Sequence, residues 1–86
     1  MIYVNNEYAI GFKHTSQDSV RTTKCFIYQV DNNRLGAVVG TGVAYCHYKD
    51  QFNKEKGRKL ALRRAVQEAF PRGPERVSVW DAYFNR

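Results

Sequence analysis

The stretch CFIYQVDNNRLGAVVGTG, residues 25–42, sets Asp-Asn-Asn-Arg between two runs rich in β-branched and aromatic residues. Runs of that kind favour strands, and asparagine tolerates the positive φ that a two-residue hairpin loop requires. The stretch therefore reads as the centre of an antiparallel hairpin, with a third strand over 20–30 and a fourth over about 34–48. Pairing Asp31 with Arg34 sets a register in which Tyr28 meets Ala37, Phe26 meets Val39 and Cys25 meets Gly40. Two faces follow from it. One carries Val30, Tyr28, Phe26, Lys24, Leu35, Val39, Thr41, Val43, Tyr45 and His47; the other carries Ile27, Cys25, Thr23, Val38, Gly40, Gly42, Ala44 and Cys46. The second face is small, and glycine inside a strand marks the close approach of another backbone. It is the expected docking surface of a helix. Gly40-Thr41-Gly42 lies within a strand rather than between a strand and a helix, which is the wrong place for a nucleotide-binding glycine loop.

Upstream, Asn5-Asn6 repeats the same turn device between strands at about 1–4 and 7–14. The second of these alternates Tyr8, Ile10 and Phe12 against Glu7, Ala9, Gly11 and Lys13, and Thr15–Ser19 reads as a polar loop. Downstream, Asp50 and Asn53 are candidate N-caps. Residues 54–70 then have helical periodicity, with Ala61, Leu62, Ala65, Val66, Ala69 and Phe70 as one apolar stripe. Gly57 inside that run is unfavourable by about 1 kcal/mol relative to alanine, so it marks a helix start or a close backbone approach. Pro71-Arg72-Gly73-Pro74 stops the helix, and Pro74 with Glu75 opens a short second one over 74–84, whose expected buried stripe is Val77, Trp80 and Phe84. The fold class is α+β: one domain over residues 1–86, a mainly antiparallel four-stranded sheet followed by one long and one short C-terminal helix.

Composition narrows the function. With 43% apolar and 14% aromatic residues the 86-residue chain can build a core, although a chain this short buries a limited fraction of its surface. No apolar run approaches the ~20 residues of a membrane span, and residues 1–7 lack the basic start and apolar block of a signal peptide. The expected compartment is the cytoplasm. Cys25 and Cys46 form no close pair of the kind structural zinc sites use, even with His14 and His47, so free thiols and no metal or cofactor are expected. Cys46 and His47 are adjacent on a strand and point to opposite faces, which excludes a Cys–His nucleophile pair. The aspartates are scattered, with no acid pair at short spacing. No catalytic residue is assigned, and a non-enzymatic protein is expected.

The charge is +6, and it is concentrated: Lys54, Lys56, Arg58, Lys59, Arg63 and Arg64 fall within eleven positions, with Glu55 the one acid among them. A solvated helix face ordinarily mixes signs. Arginine forks and a helix N-terminus both suit phosphate oxygens. Lys56, Arg58, Lys59, Arg63 and Arg64 are accordingly the candidate binding residues for an anionic partner.

Part of the chain resembles a family of small, mostly uncharacterised proteins of tailed bacteriophages. The resemblance rests on Gly42, Ala44 and Cys46, then Asp50 and Phe52, then Gly57, Arg58, Ala61, Arg64 and Ala65, with Trp80, Ala82, Tyr83 and Phe84 at the end. It covers about half the chain. It implies a phage accessory protein that inhibits a host defence system, of anti-CRISPR or signal-sequestering type, acting in the host cytoplasm on a nucleoprotein, nucleic acid or nucleotide. A general nucleic-acid-binding module similar to double-stranded-RNA-binding domains is the alternative, although the segment between Gly42 and the helix is long for that family. Finally, one helix layer cannot cover both faces of the sheet. Phe26, Tyr28, Val39 and Tyr45 are therefore expected at an interface, either between two copies of the chain in a homodimer or against stacked bases.

Overall fold

A computed structural model describes residues 1–47 and 53–86, excluding the side chain of His47. The sheet runs in sequence order from β1 (Ile2–Val4) through β2 (Tyr8–Gln17) and β3 (Val20–Asp31) to β4 (Arg34–His47), every neighbour antiparallel. Two helices follow, α1 (Lys54–Ala69) and α2 (Glu75–Phe84). The α+β class and the element order are those read from the sequence. The expected cap at Asp50, the Phe52 and Asp50 positions of the phage resemblance, Tyr48 at the end of the fourth strand and the facing of His47 all lie outside the described residues.

All three hairpins turn on paired residues at positive φ: Asn5 (52°) with Asn6 (60°), Asp18 (51°) with Ser19 (65°), and Asn32 (50°) with Asn33 (63°). This is the geometry whose twist matches that of the flanking strands. The Asp18-Ser19 turn corrects the polar loop expected over 15–19. Strand β2 continues to Gln17, with Thr15 opposite Thr22 and Gln17 opposite Val20. Polar residues are accommodated there because threonine fits a pleated ladder as well as an apolar β-branched residue does.

The register of the β3–β4 hairpin also differs from expectation. Asp31 does pair with Arg34, but two irregularities follow, and Tyr28 meets Val38, Phe26 meets Thr41 and Cys25 meets Gly42. Each irregularity opposes extra β4 residues to β3, as a bulge does. The first reverses the assignment of the two valines. Val39 packs against the core, whereas Val38, opposite Tyr28, is 47% exposed on the outer face. Val39 therefore leaves the group Phe26, Tyr28 and Tyr45 with which it was placed. Beyond both irregularities the slip totals two residues, so Gly40, Gly42 and Ala44 still share a face with Ile27, Cys25 and Thr23.

That face receives α1. Helix residues Ala61, Leu62, Ala65 and Val66 are buried, and the helix backbone lies directly on the two glycines. A Cβ on Gly40 would come within 2.5 Å of the Ala65 carbonyl oxygen, and one on Gly42 within 2.5 Å of the Ala65 nitrogen. Gly57 has a parallel purpose, since its Cβ would stand 2.8 Å from Thr23 Oγ1. The single glycine in α1 is a close approach to β3.

Helix α2 closes the core against β1 and β2, but with a different stripe from the expected one. Val79 and Tyr83 are fully buried, whereas Val77 is 63% and Phe84 58% exposed. The phase is set by Tyr83, whose ring meets Phe12 edge-on at 5.9 Å while its hydroxyl finds a polar partner on α1. Trp80 is half-buried at the rim and stacks on Phe84 at 5.6 Å.

Candidate anion-binding surface

The first turn of α1 is fixed by Asn53. Its side chain accepts the Glu55 N–H at 2.9 Å and the Lys56 N–H at 3.2 Å, satisfying two donors that the helix start leaves open. Glu55 is then the hub of a network. It accepts from Arg58 at 2.7 Å, from the Tyr83 hydroxyl at 2.9 Å and from Arg86 at 3.1 Å, with Lys59 4.0 Å away. Arg86 also stacks 4.1 Å over the Tyr83 ring. The three elements joined are the start of α1, the end of α2 and the C-terminal residue.

This network divides the five candidate cations. Arg58 is engaged by Glu55, and its Nε is buried with no acceptor among the described residues. Arg64 lies along the edge of the sheet and donates to the Val43 carbonyl at 2.5 Å. Both serve the fold. Lys59 is shared between Glu55 and the Phe84 ring, 5.6 Å from the ring centre. Lys56 and Arg63 are exposed, and their side chains have no hydrogen bond or ion pair among the described residues. On a helix, positions 56, 59 and 63 fall on one side, so Lys56, Lys59 and Arg63 form a solvent-facing stripe. The acids Glu7 and Glu75 lie together at the other end of the molecule, and the turn bearing Asp31 is joined to that end by the bond from the Val30 N–H to the Glu7 carbonyl.

Glu55, Tyr83 and Arg86 were not among the site residues expected from the sequence. The Glu55–Arg58 and Glu55–Lys59 spacings are visible as helical neighbours, but nothing local announces that residues 83 and 86 return to them. Arginine bonding, followed by the Tyr83 hydrogen bond, holds the Glu55 carboxyl at about 2, well below its usual 4.5. A carboxyl depressed in the folded chain contributes stability that is complete above its unfolded value and is lost as pH falls through the folded one. The expected window of loss is therefore from about 4.5 down to 2. Glu55→Gln should lower the thermal midpoint at pH 7 and flatten its decline across that window. An acid decline as steep in the variant as in the parent would assign the acid sensitivity to other carboxyls.

His14 Nδ1 and Thr23 Oγ1 share a hydrogen bond of 2.9 Å under the first turn of α1. Burial first, then the charges of Lys54 and Arg58, push the His14 pKa below its ordinary value. Cys25 is a buried thiol, pushed up to about 12 by desolvation. It faces α1 as part of the core. Cys46 forms no disulfide among the described residues. It lines a cleft of about 160 Å³ with Thr23, Lys56, Gly57 and Leu60, smaller than the 300–1,000 Å³ of a typical small-molecule site. Among the described residues, no three His, Cys, Asp or Glu side chains gather as a metal site, and no helix is long and apolar enough to cross a membrane. The chain matches no known family model, no curated protein and no solved structure.

Proposed function

We propose that this chain is a non-enzymatic binding protein whose solvent-facing α1 stripe engages an anionic partner. In keeping with the sequence resemblance, we place it among phage accessory proteins that inhibit a host defence component in the host cytoplasm. The observation that carries the reading is the stripe itself: Lys56 and Arg63 are exposed and have no ion pair among the described residues, with Lys59 between them. Cations left without partners on a rigid helix are available to phosphates or to an acidic protein surface at little ordering cost.

The test is the double reversal Lys56→Glu with Arg63→Glu. Both side chains are exposed, so stability should change by no more than about 0.5 kcal/mol per site, while capture of the partner is lost. Two readouts separate the partner classes. Tagged protein recovered from host cells identifies bound proteins by mass spectrometry. Gel shifts on random duplex DNA and RNA across a salt series identify a general nucleic-acid binder, whose affinity falls steeply with salt. Retention of every partner by the double variant would reduce the stripe to a solvated helix face. The same reversal at Arg58 is expected to lower stability, because it places a second carboxylate against Glu55.

A further inference from the structure

We propose that the outer face of the sheet, which neither helix covers, is a platform for a single-stranded nucleic acid. This surface lies on the opposite side of the sheet from α1, so the proposal goes beyond the reading given for the helix stripe and does not depend on it.

The face is built in two parts. At one end, Tyr28 lies across Gly11: a Cβ there would stand 3.3 Å from Tyr28 Cε2 and 3.4 Å from the end of the Met1 side chain. Ala9, on the same face and opposite Tyr28, is wholly covered. The Tyr28 ring thus rests on a floor of small residues instead of standing upright from it. The neighbouring rings of Phe26 and Tyr28 are 6.1 Å apart and inclined by only 32°, with Tyr3, 57% exposed, beside them. Further along stands Tyr45, the most exposed large aromatic of the sheet at 68%. Between these two aromatic groups Lys13 and Lys24 sit directly opposite each other on adjacent strands.

Like charges directly opposite on a sheet are destabilising. Both lysines are exposed, neither has an ion pair among the described residues, and β1–β4 direct no Asp or Glu to this face. The face therefore calls for an occupant that is both anionic and flat. Bases stack on aromatic rings whatever their identity, and phosphates between them neutralise lysines. A second copy of the chain meets the apolar requirement but not the charge: a two-fold contact through this face adds another Lys13–Lys24 pair to the first. Duplex nucleic acid offers phosphates while keeping its bases stacked on each other.

Fluorescence anisotropy of the full chain with a labelled oligothymidylate or oligouridylate of about 16 nucleotides tests the proposal. Binding is expected, with little competition from duplex of the same length. Tyr45→Thr, which keeps a strand-forming residue on an exposed site, should weaken it about ten-fold, within the range for one lost base stack. Lys13→Gln with Lys24→Gln should lower the salt dependence of log affinity by about 1.4 and at the same time raise the thermal midpoint, so lost binding cannot be misfolding. In the background Lys56→Gln with Arg63→Gln, Tyr45→Thr should still weaken oligonucleotide binding about ten-fold, so the contribution of the sheet is read apart from that of the helix stripe. Three results would each overturn the proposal: no binding at about 50 mM salt, binding lost with the helix pair and kept by the sheet variants, or a dimer by light scattering that Tyr45→Thr dissociates.

Discussion

Gly42→Ala is expected to cost about 3 kcal/mol, at the upper end for overpacking a well-filled core. The added methyl has nowhere to go. It would overlap the Ala61 carbonyl oxygen and stand 2.5 Å from the Ala65 nitrogen and 2.9 Å from Arg64 Cβ. The first two are helix backbone and cannot rotate aside, so α1 must lift from β4. Lifting it loosens the contacts of Ala61, Ala65 and Leu62 together. A fall in the urea midpoint at unchanged slope is the expected signature. Gly57→Ala provides the internal comparison. Its new methyl meets the Thr23 hydroxyl, a side-chain atom, and the helix gains about 1 kcal/mol of propensity in return. The ratio of the two losses measures how rigidly the helix backbone is seated. Equal losses would mean that the seat yields and that β4 gives way before α1.

Tyr83→Ala is expected to be comparably severe, about 4 kcal/mol, in the range for removing a large buried aromatic. The ring is fully buried and touches Phe12, Trp80 and Phe84 edge-on at 5.9, 6.0 and 5.4 Å. A domain of this size has total stability on the order of 5–10 kcal/mol, so the loss leaves little margin. Tyr83→Phe separates the two roles of the residue. It keeps the ring and removes only the donor to Glu55, whose carboxylate remains bonded to Arg58 and Arg86. Its cost should be about 1 kcal/mol. If the phenylalanine variant were as unstable as the alanine one, the hydrogen bond and not the packing would be what holds α2.

Elements were legible in the sequence wherever a local rule governed them. Asn5-Asn6 and Asn32-Asn33 announced their hairpins because few residues accept two consecutive positive φ values. Asp18-Ser19 makes the same turn with less telling residues, and its strand was cut short accordingly. The bulges in β4 left no mark in residues 34–39, since bulge position depends on how a strand must twist to fit its neighbours. The assignment of Gly40, Gly42 and Ala44 survived only because two one-residue slips cancel in a two-residue period; a single slip would have placed the glycines on the outer face. In α2 the apolarity of Val77 and Phe84 misled, because every third or fourth position of that helix is apolar and only tertiary contact selects the phase. The cationic cluster was legible as charge but not as function. Nothing in residues 54–64 shows that the side chains of Arg58 and Arg64 find partners in their own protein while those of Lys56 and Arg63 find none among the described residues.

The contact between Arg64 and the Val43 carbonyl also bears on how the molecule behaves in a crowd. Strand β4 is fourteen residues long and lies at the edge of the sheet, so its outward backbone groups are a template on which a strand of any other chain can grow. Arg64 occupies one of those acceptors, at Val43 in the second half of the strand, and sets a positive charge against the approach of a second chain. On this view an arginine conspicuous for its charge guards the fold against aggregation, and the long edge beside the α1 seat is tolerated because a side chain from that helix reaches over and blocks part of it.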